Sequence, residues 1–152
     1  MSTRRGASSI KQYRNRGFTL MELMVVIVIV AVLAGIALPS YQNSVRKGQR
    51  SDAKVGLLDV AGRMEQYILD RGTYTYDMSN LGYAADPMVT AEGHFSIDAA
   101  ACTGGDATTC YVLTATPLAS SPLADDDQCT GFSLDFSGAK SATGHLASQC
   151  WR

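Results

Sequence analysis

Four cysteines, Cys102, Cys110, Cys129 and Cys150, lie in the last third of the 152-residue chain. None belongs to a C-x-x-C pair, which weakens zinc and thioredoxin-type readings. An even number of thiols points instead to two disulfides in an oxidising compartment. Three connectivities are open; pairing by neighbours is the most economical, and the sequence does not choose among them. The two histidines, His94 and His145, stand apart from any metal-spaced cluster. Gly104-Gly105 belongs to a turn rather than to a phosphate loop following a strand. Asp125-Asp126-Asp127 has the hard carboxylates that suit calcium, but reads as a solvated acidic loop. These residues compose no catalytic site, and neither metal nor cofactor is expected. One carboxylate is harder to place: Glu22 stands at the mouth of an otherwise apolar run.

That run, Phe18 to Leu38, has only Thr19 and Glu22 as clearly polar members. As a helix it would reach roughly 32 Å, enough to cross the hydrocarbon core of a membrane. Arg4, Arg5, Lys11, Arg14 and Arg16 precede it without an acid, so the first 17 residues carry +5 while the whole chain carries −1. The remainder holds 8 basic and 14 acidic residues, and from Gly72 onward only Lys140 and Arg152 oppose nine acids. A basic flank before an apolar helix marks the cytoplasmic side. The acidic remainder lacks the footprint of a general nucleic-acid binder. The apolar stretch is too long for an ordinary cleaved secretory signal. A plain uncleaved anchor fits the hydropathy and leaves Glu22 unexplained.

Beyond Pro39, which removes a helical hydrogen bond and favours a bend, helical spacing resumes. Ala53, Leu57, Val60, Ala61, Met64, Tyr67 and Ile68 form one apolar stripe. Arg46, Lys47, Arg50, Asp52, Lys54, Asp59, Arg63 and Glu65 are assigned largely to the other faces. Gly72 is the expected stop. One helix from about Phe18 to Arg71 is therefore predicted. A turn-rich segment, Gly72 to Pro87, carries Tyr74, Tyr76 and Tyr83 as packing residues. Strands are expected around Phe95 (HFSIDA), Val112 (YVLTATPL, closed by Pro117) and Leu134 (FSLDFSG). TGGDATT and SSPLADDDQ are the turns between them. The order implies an α+β fold, a long helix followed by a small antiparallel meander that it covers.

Gly17-Phe18-Thr19-Leu20-Met21-Glu22, behind a basic leader and before a long apolar run, resembles the cleavage and methylation motif of type IV prepilins. The resemblance implies cutting between Gly17 and Phe18 by prepilin peptidase, N-methylation of Phe18, and retention of the apolar helix. It also implies that Glu22 meets the new Phe18 amine of a neighbouring subunit during assembly. Boundaries follow as leader 1–17, membrane and assembly helix 18–38, amphipathic helix 39–71 and a sheet region 72–152. Cys129 and Cys150 resemble the C-terminal disulfide loop of type IV pilins. The tail Cys150-Trp151-Arg152 and the stretch YVLTATP are most similar to PilE-type minor pilins. The Cys102–Cys110 pair has no place in the family pattern.

What this implies is a minor pilin of the type IV pilus, serving biogenesis, adhesion and twitching motility. Its partners would be other pilin subunits, major and minor, the prepilin peptidase and the inner-membrane assembly machinery. It would lie once through the inner membrane before assembly and in the extracellular fibre afterwards, the soluble domain facing the periplasm or the exterior. The alternative is a pseudopilin of a type II secretion system, which shares the leader, Glu22 and Pro39. A DNA-uptake receptor or adhesin carried on the pilus would need a compact basic patch. The acidic domain argues against one, so nucleic acid is not an expected partner.

Overall fold

The computed structural model describes residues 17–152. The basic residues read from sequence as a leader, Arg4 to Arg16, lie outside the described residues. The chain divides into two compact units, one ending at Ser40 and one spanning Tyr41–Arg152.

In the first unit, Gly17 to Thr19 are non-helical and the long helix α1, Leu20–Arg71, begins one residue later. Within α1 an apolar window with mean hydropathy 2.8 is long enough to cross a membrane, and its side chains are exposed. The second unit holds the rest of α1 and five strands: β1 (Met88–Val89), β2 (Phe95–Ala100), β3 (Val112–Pro117), β4 (Gly131–Asp135) and β5 (Lys140–Thr143). They form one antiparallel meander in chain order. Short 3-10 turns, Met78–Leu81 and Ala147–Gln149, complete the fold. The α+β class read from the sequence is the observed one.

The core is what the two periodicities dictate. Ala53, Leu57, Val60 and Met64 of α1 are fully buried against alternate residues of the strands: Phe95 and Ile97, Leu113 and Ala115, Phe132 and Leu134. Gly56 lets the helix come close, for a Cβ there would stand 2.7 Å from Ile97 Cδ1. The opposite sheet face is polar; Ser133 and Ser141 hydroxyls pair at 2.7 Å, and Thr130 donates to Thr143 at 2.9 Å. α1 stops where Gly72 follows Arg71, and Gly72 N–H donates to the Ile68 carbonyl at 2.8 Å. Tyr74, Tyr76 and Tyr83 all pack on the core from the connecting loop.

The sequence pattern did not indicate β1 or β5. β1 has two residues, too few for any period. β5, KSAT, carries no apolar alternation. Both are edge strands, held by one neighbour, and shortness or a lysine at an edge discourages further pairing.

Cys102 is bonded to Cys110 and Cys129 to Cys150. The first closes the turn between β2 and β3, and the second joins the start of β4 to the tail. Loop closure in the unfolded chain makes each worth roughly 2–3 kcal/mol. The double variant Cys102→Ser/Cys110→Ser should lose about that amount. The sole tryptophan, Trp151, offers a fluorescence readout of urea unfolding for the full chain in neutral detergent.

Candidate functional site

Sequence places Glu22 and Phe18 at the head of α1, and local geometry explains their spacing. Thr19 is the residue before the helix. Its hydroxyl accepts the Glu22 N–H at 3.2 Å and its carbonyl accepts the Leu23 N–H at 3.2 Å. A threonine followed three residues later by glutamate is the capping-box pattern. Glu22 therefore occupies the third helical position, where the helix dipole favours a negative charge. Phe18 stands just outside the helix and is 80% exposed. Cleavage after Gly17 would leave a cation two residues before the first helical turn. Pro39 lies inside α1, whose assigned span continues through it.

Further along α1, two charged side chains assigned from sequence largely to the other faces, Arg50 and Asp52, are buried and anchor the domain, while Asp59 is exposed as expected. Arg50 is buried and grips the buried Asp126, Nε to Oδ2 at 2.7 Å and Nη2 to Oδ1 at 2.8 Å, while Nη2 also reaches Gln128 Oε1 at 3.1 Å. Burial pushes the Asp126 carboxyl up. The hydrogen bonds and charge of Arg50, with backbone N–H groups of Gln128 and Cys129, outweigh it and hold the carboxyl below the usual range. The middle of the three aspartates is thus no part of a solvated loop. Asp52, also buried, accepts from the Thr90 hydroxyl and from the N–H groups of Glu92 and His94, both at 3.3 Å, and so fastens the β1–β2 turn. Asp59 accepts the Tyr83 hydroxyl, whose ring carries Arg63 at 4.4 Å. One signal was available for Arg50: at three and seven residues before Ala53 and Leu57, it lies in phase with the buried stripe.

The same part of α1 meets the tail. The Cys129–Cys150 bridge holds Trp151 edge-on to Phe132 at 5.8 Å, with its indole N–H on the Ser141 carbonyl at 2.6 Å. Lys140 lies over the same indole at 5.3 Å. Lys54 donates to the main-chain oxygen of Arg152 at 3.1 Å. Burial, then the charges of Arg50 and Lys140, lower the Lys54 pKa. Lys47, Arg50, Lys54 and Arg152 line a cleft of about 240 Å³ with Gln128, Gln149 and the Cys129–Cys150 bridge. The only two bases after Gly72, Lys140 and Arg152, thus both join the helix bases. Net charge could not reveal this, because it averages over surface position.

Comparison with known proteins divides along the chain. Residues 12–38 match the family model of the prokaryotic N-terminal methylation motif. Residues 39–133 match the model described as type IV minor pilin ComP, DNA uptake sequence receptor. The chain belongs to the type IV minor pilin ComP family. The long helix on a five-stranded antiparallel sheet is the type IV pilin fold.

Relatives include the fimbrial protein EcpC of Eikenella corrodens, 43% identical over 70 residues, covering 46% of each chain. The type IV major pilin PilE of Neisseria gonorrhoeae is 36% identical over 74 residues, 49% of this chain and 44% of the relative. The type II secretion system core protein G of Pectobacterium carotovorum subsp. carotovorum is 40% identical over 62 residues, 41% of this chain and 40% of the relative. The chain thus spans a little under half the length of the curated relatives it matches. PilE is named a major pilin there, so the minor assignment rests on the family model and not on the tail's likeness. The family is one of structural pilins, and its apolar N-terminal helix fits membrane anchoring and the fibre.

Proposed function

We propose that the chain is cut between Gly17 and Phe18 by prepilin peptidase, methylated at Phe18, and drawn from the inner membrane into a type IV pilus as a minor subunit. The capped start of α1 carries this reading: it sets Glu22 at the third helical position with Phe18 just outside the helix. Glu22 of one subunit then pairs with the Phe18 amine of the next, since either charge left alone in an apolar fibre interior is strongly unfavourable. The leader is residues 1–17, the membrane and assembly segment 18–38, and the periplasmic or extracellular part follows. Glu22→Ala is expected to insert in the membrane normally and to be largely absent from sheared fibres, scored by N-terminal sequencing and intact mass of membrane and fibre fractions. Normal incorporation of Glu22→Ala would sink the pairing. A processed chain confined to the envelope would favour the secretion pseudopilin, which the likeness to core protein G also fits.

A second reading, capture of DNA on the pilus, is favoured by a specific observation. Lys47, Lys54 and Arg152 line one cleft together with the buried, Asp126-paired Arg50, and the charge of Lys140 also reaches Lys54. The family description names a DNA uptake sequence receptor. Positive charge gathered on one face attracts phosphate whatever the average charge of the domain.

A further inference from the structure

We propose that Tyr41, Val45, Arg46 and Pro122, at the end of the second unit where α1 enters it, form a footing on the phospholipid headgroups of the membrane that holds segment 18–38. The inference rests on that membrane reading and adds to it: the loop between β3 and β4, and not the helix alone, touches the bilayer before assembly. Tyr41, Gln42, Val45, Arg46 and Gln49 of α1 and Pro122 of the loop line one shallow hollow of about 280 Å³. Among the described residues that line it there is no carboxylate; Asp125 and Asp127, further along the loop, are exposed but do not line it. Tyr41 is 69% exposed and Val45 39%, and Pro122 is exposed as well.

Position in the chain says what covers this surface. The apolar run ends at Leu38, and Tyr41 follows three residues later in the same helix. With the run filling the hydrocarbon core, Tyr41 falls at the headgroup level, where a ring with an apolar body and a polar tip is favoured. Arg46 lies about a turn and a half further on, and its long stem can reach back to lipid phosphate. Proline suits the remaining point of contact, because it has no backbone N–H to leave unpaired when water is displaced. The loop is not a free arm. Ser121 and Leu123, on either side of Pro122, are buried. Leu123 N–H donates to the Ser121 hydroxyl at 3.2 Å and Ala124 N–H to the Ser121 carbonyl at 3.0 Å. Asp126 is clamped to Arg50, one turn beyond Arg46. The height of Pro122 above the membrane is therefore set by α1.

The test uses the full chain in vesicles of phosphatidylethanolamine and phosphatidylglycerol, with a lipid spin-labelled at its headgroup as quencher. In a Trp151→Phe background, single tryptophans are read from Tyr41→Trp, Pro122→Trp and Ser137→Trp. Ser137 shares a groove with Leu58 and Glu65, farther along α1. Thermal unfolding followed by circular dichroism confirms that each variant is folded. Pro122→Trp should be quenched nearly as strongly as Tyr41→Trp and several-fold more than Ser137→Trp. Adding Arg46→Gln frees the tilt of the domain and should lower quenching at position 122 while position 41 keeps its own. Quenching at 41 without quenching at 122 overturns the footing and leaves this surface to a neighbouring subunit, while the membrane reading stands. Equal quenching at 122 and 137 overturns it too, since the domain would then lie on its side. Quenching at 122 that ignores Arg46→Gln removes Arg46 from the contact. Quenching at neither 41 nor 122 sinks the membrane reading and the footing together.

Discussion

Arg50→Ala is expected to destabilise the domain by about 3–5 kcal/mol at neutral pH, the cost of leaving a buried charge without its partner. Arg50 and Asp126 are 7% and 3% exposed, and the pair makes two hydrogen bonds, with a third to Gln128. Truncating Arg50 strands an ionised Asp126, which the N–H groups of Gln128 and Cys129 only partly satisfy. The expected pH dependence follows from sign. The folded Asp126 carboxyl is held below its ordinary value, so the pair's contribution is complete above the unfolded pKa of about 3.9. It is lost as the pH falls through the lower, folded pKa. In Arg50→Ala the opposing burial effect is unbalanced, and protonating Asp126 relieves the variant. The gap between variant and wild type should therefore narrow in acid. Unfolding followed by Trp151 emission at neutral and acid pH measures both. The double variant Arg50→Met/Asp126→Leu should recover much of the loss, because an apolar pair carries no desolvation cost. A neutral-pH loss under about 1 kcal/mol for Arg50→Ala would show that the pair is hydrated in solution.

Arg50 also shows where the sequence was readable and where it was not. Ala53, Leu57, Val60 and Met64 declare a buried helix face because their period belongs to the helix alone. β2, β3 and β4 declare themselves through β-branched and alternating runs that need no partner to be seen. Arg50 shares the stripe's phase, but a charge there is stable only if a distant carboxylate meets it, and Asp126 is 76 residues away. Asp52, whose partners Thr90, Glu92 and His94 are about 40 residues on, was hidden for the same reason. β5 exists by pairing with β4, so its own residues carry no period. The basic cleft is the largest omission. It is made by a disulfide that folds the tail back to α1, and the domain's net acidity pointed away from it. At Glu22 the reverse holds: the spacing from Thr19 is local, within one turn, and stands complete in the sequence.

Gly144→Ala should cost roughly 2–4 kcal/mol and displace the C-terminal tail without removing a single charge. Gly144 has φ +120°, a conformation that L side chains rarely adopt, and a Cβ there would stand 2.4 Å from the Gln128 carbonyl oxygen and 2.9 Å from Thr130 N. Those are main-chain atoms in a pinned segment. Thr130 N–H donates to the Thr143 carbonyl at 2.8 Å, Leu146 N–H to the Gln128 carbonyl at 3.0 Å, and Cys129 between them is bonded to Cys150. With the wall fixed, the tail must give way. Trp151 then leaves Phe132, Arg152 leaves Lys54, and the cleft opens to water. Red-shifted Trp151 emission and a lower unfolding midpoint should appear together. Gly138→Ala separates the two causes. Gly138 also has positive φ, +80°, but nothing lies within 4 Å of its Cβ direction, so only backbone strain of about 1 kcal/mol is expected. Its Trp151 emission should stay as in the wild type. Equal losses in the two variants would mean that the Gln128 wall yields, and that the tail is not held against α1 by the close approach at Gly144.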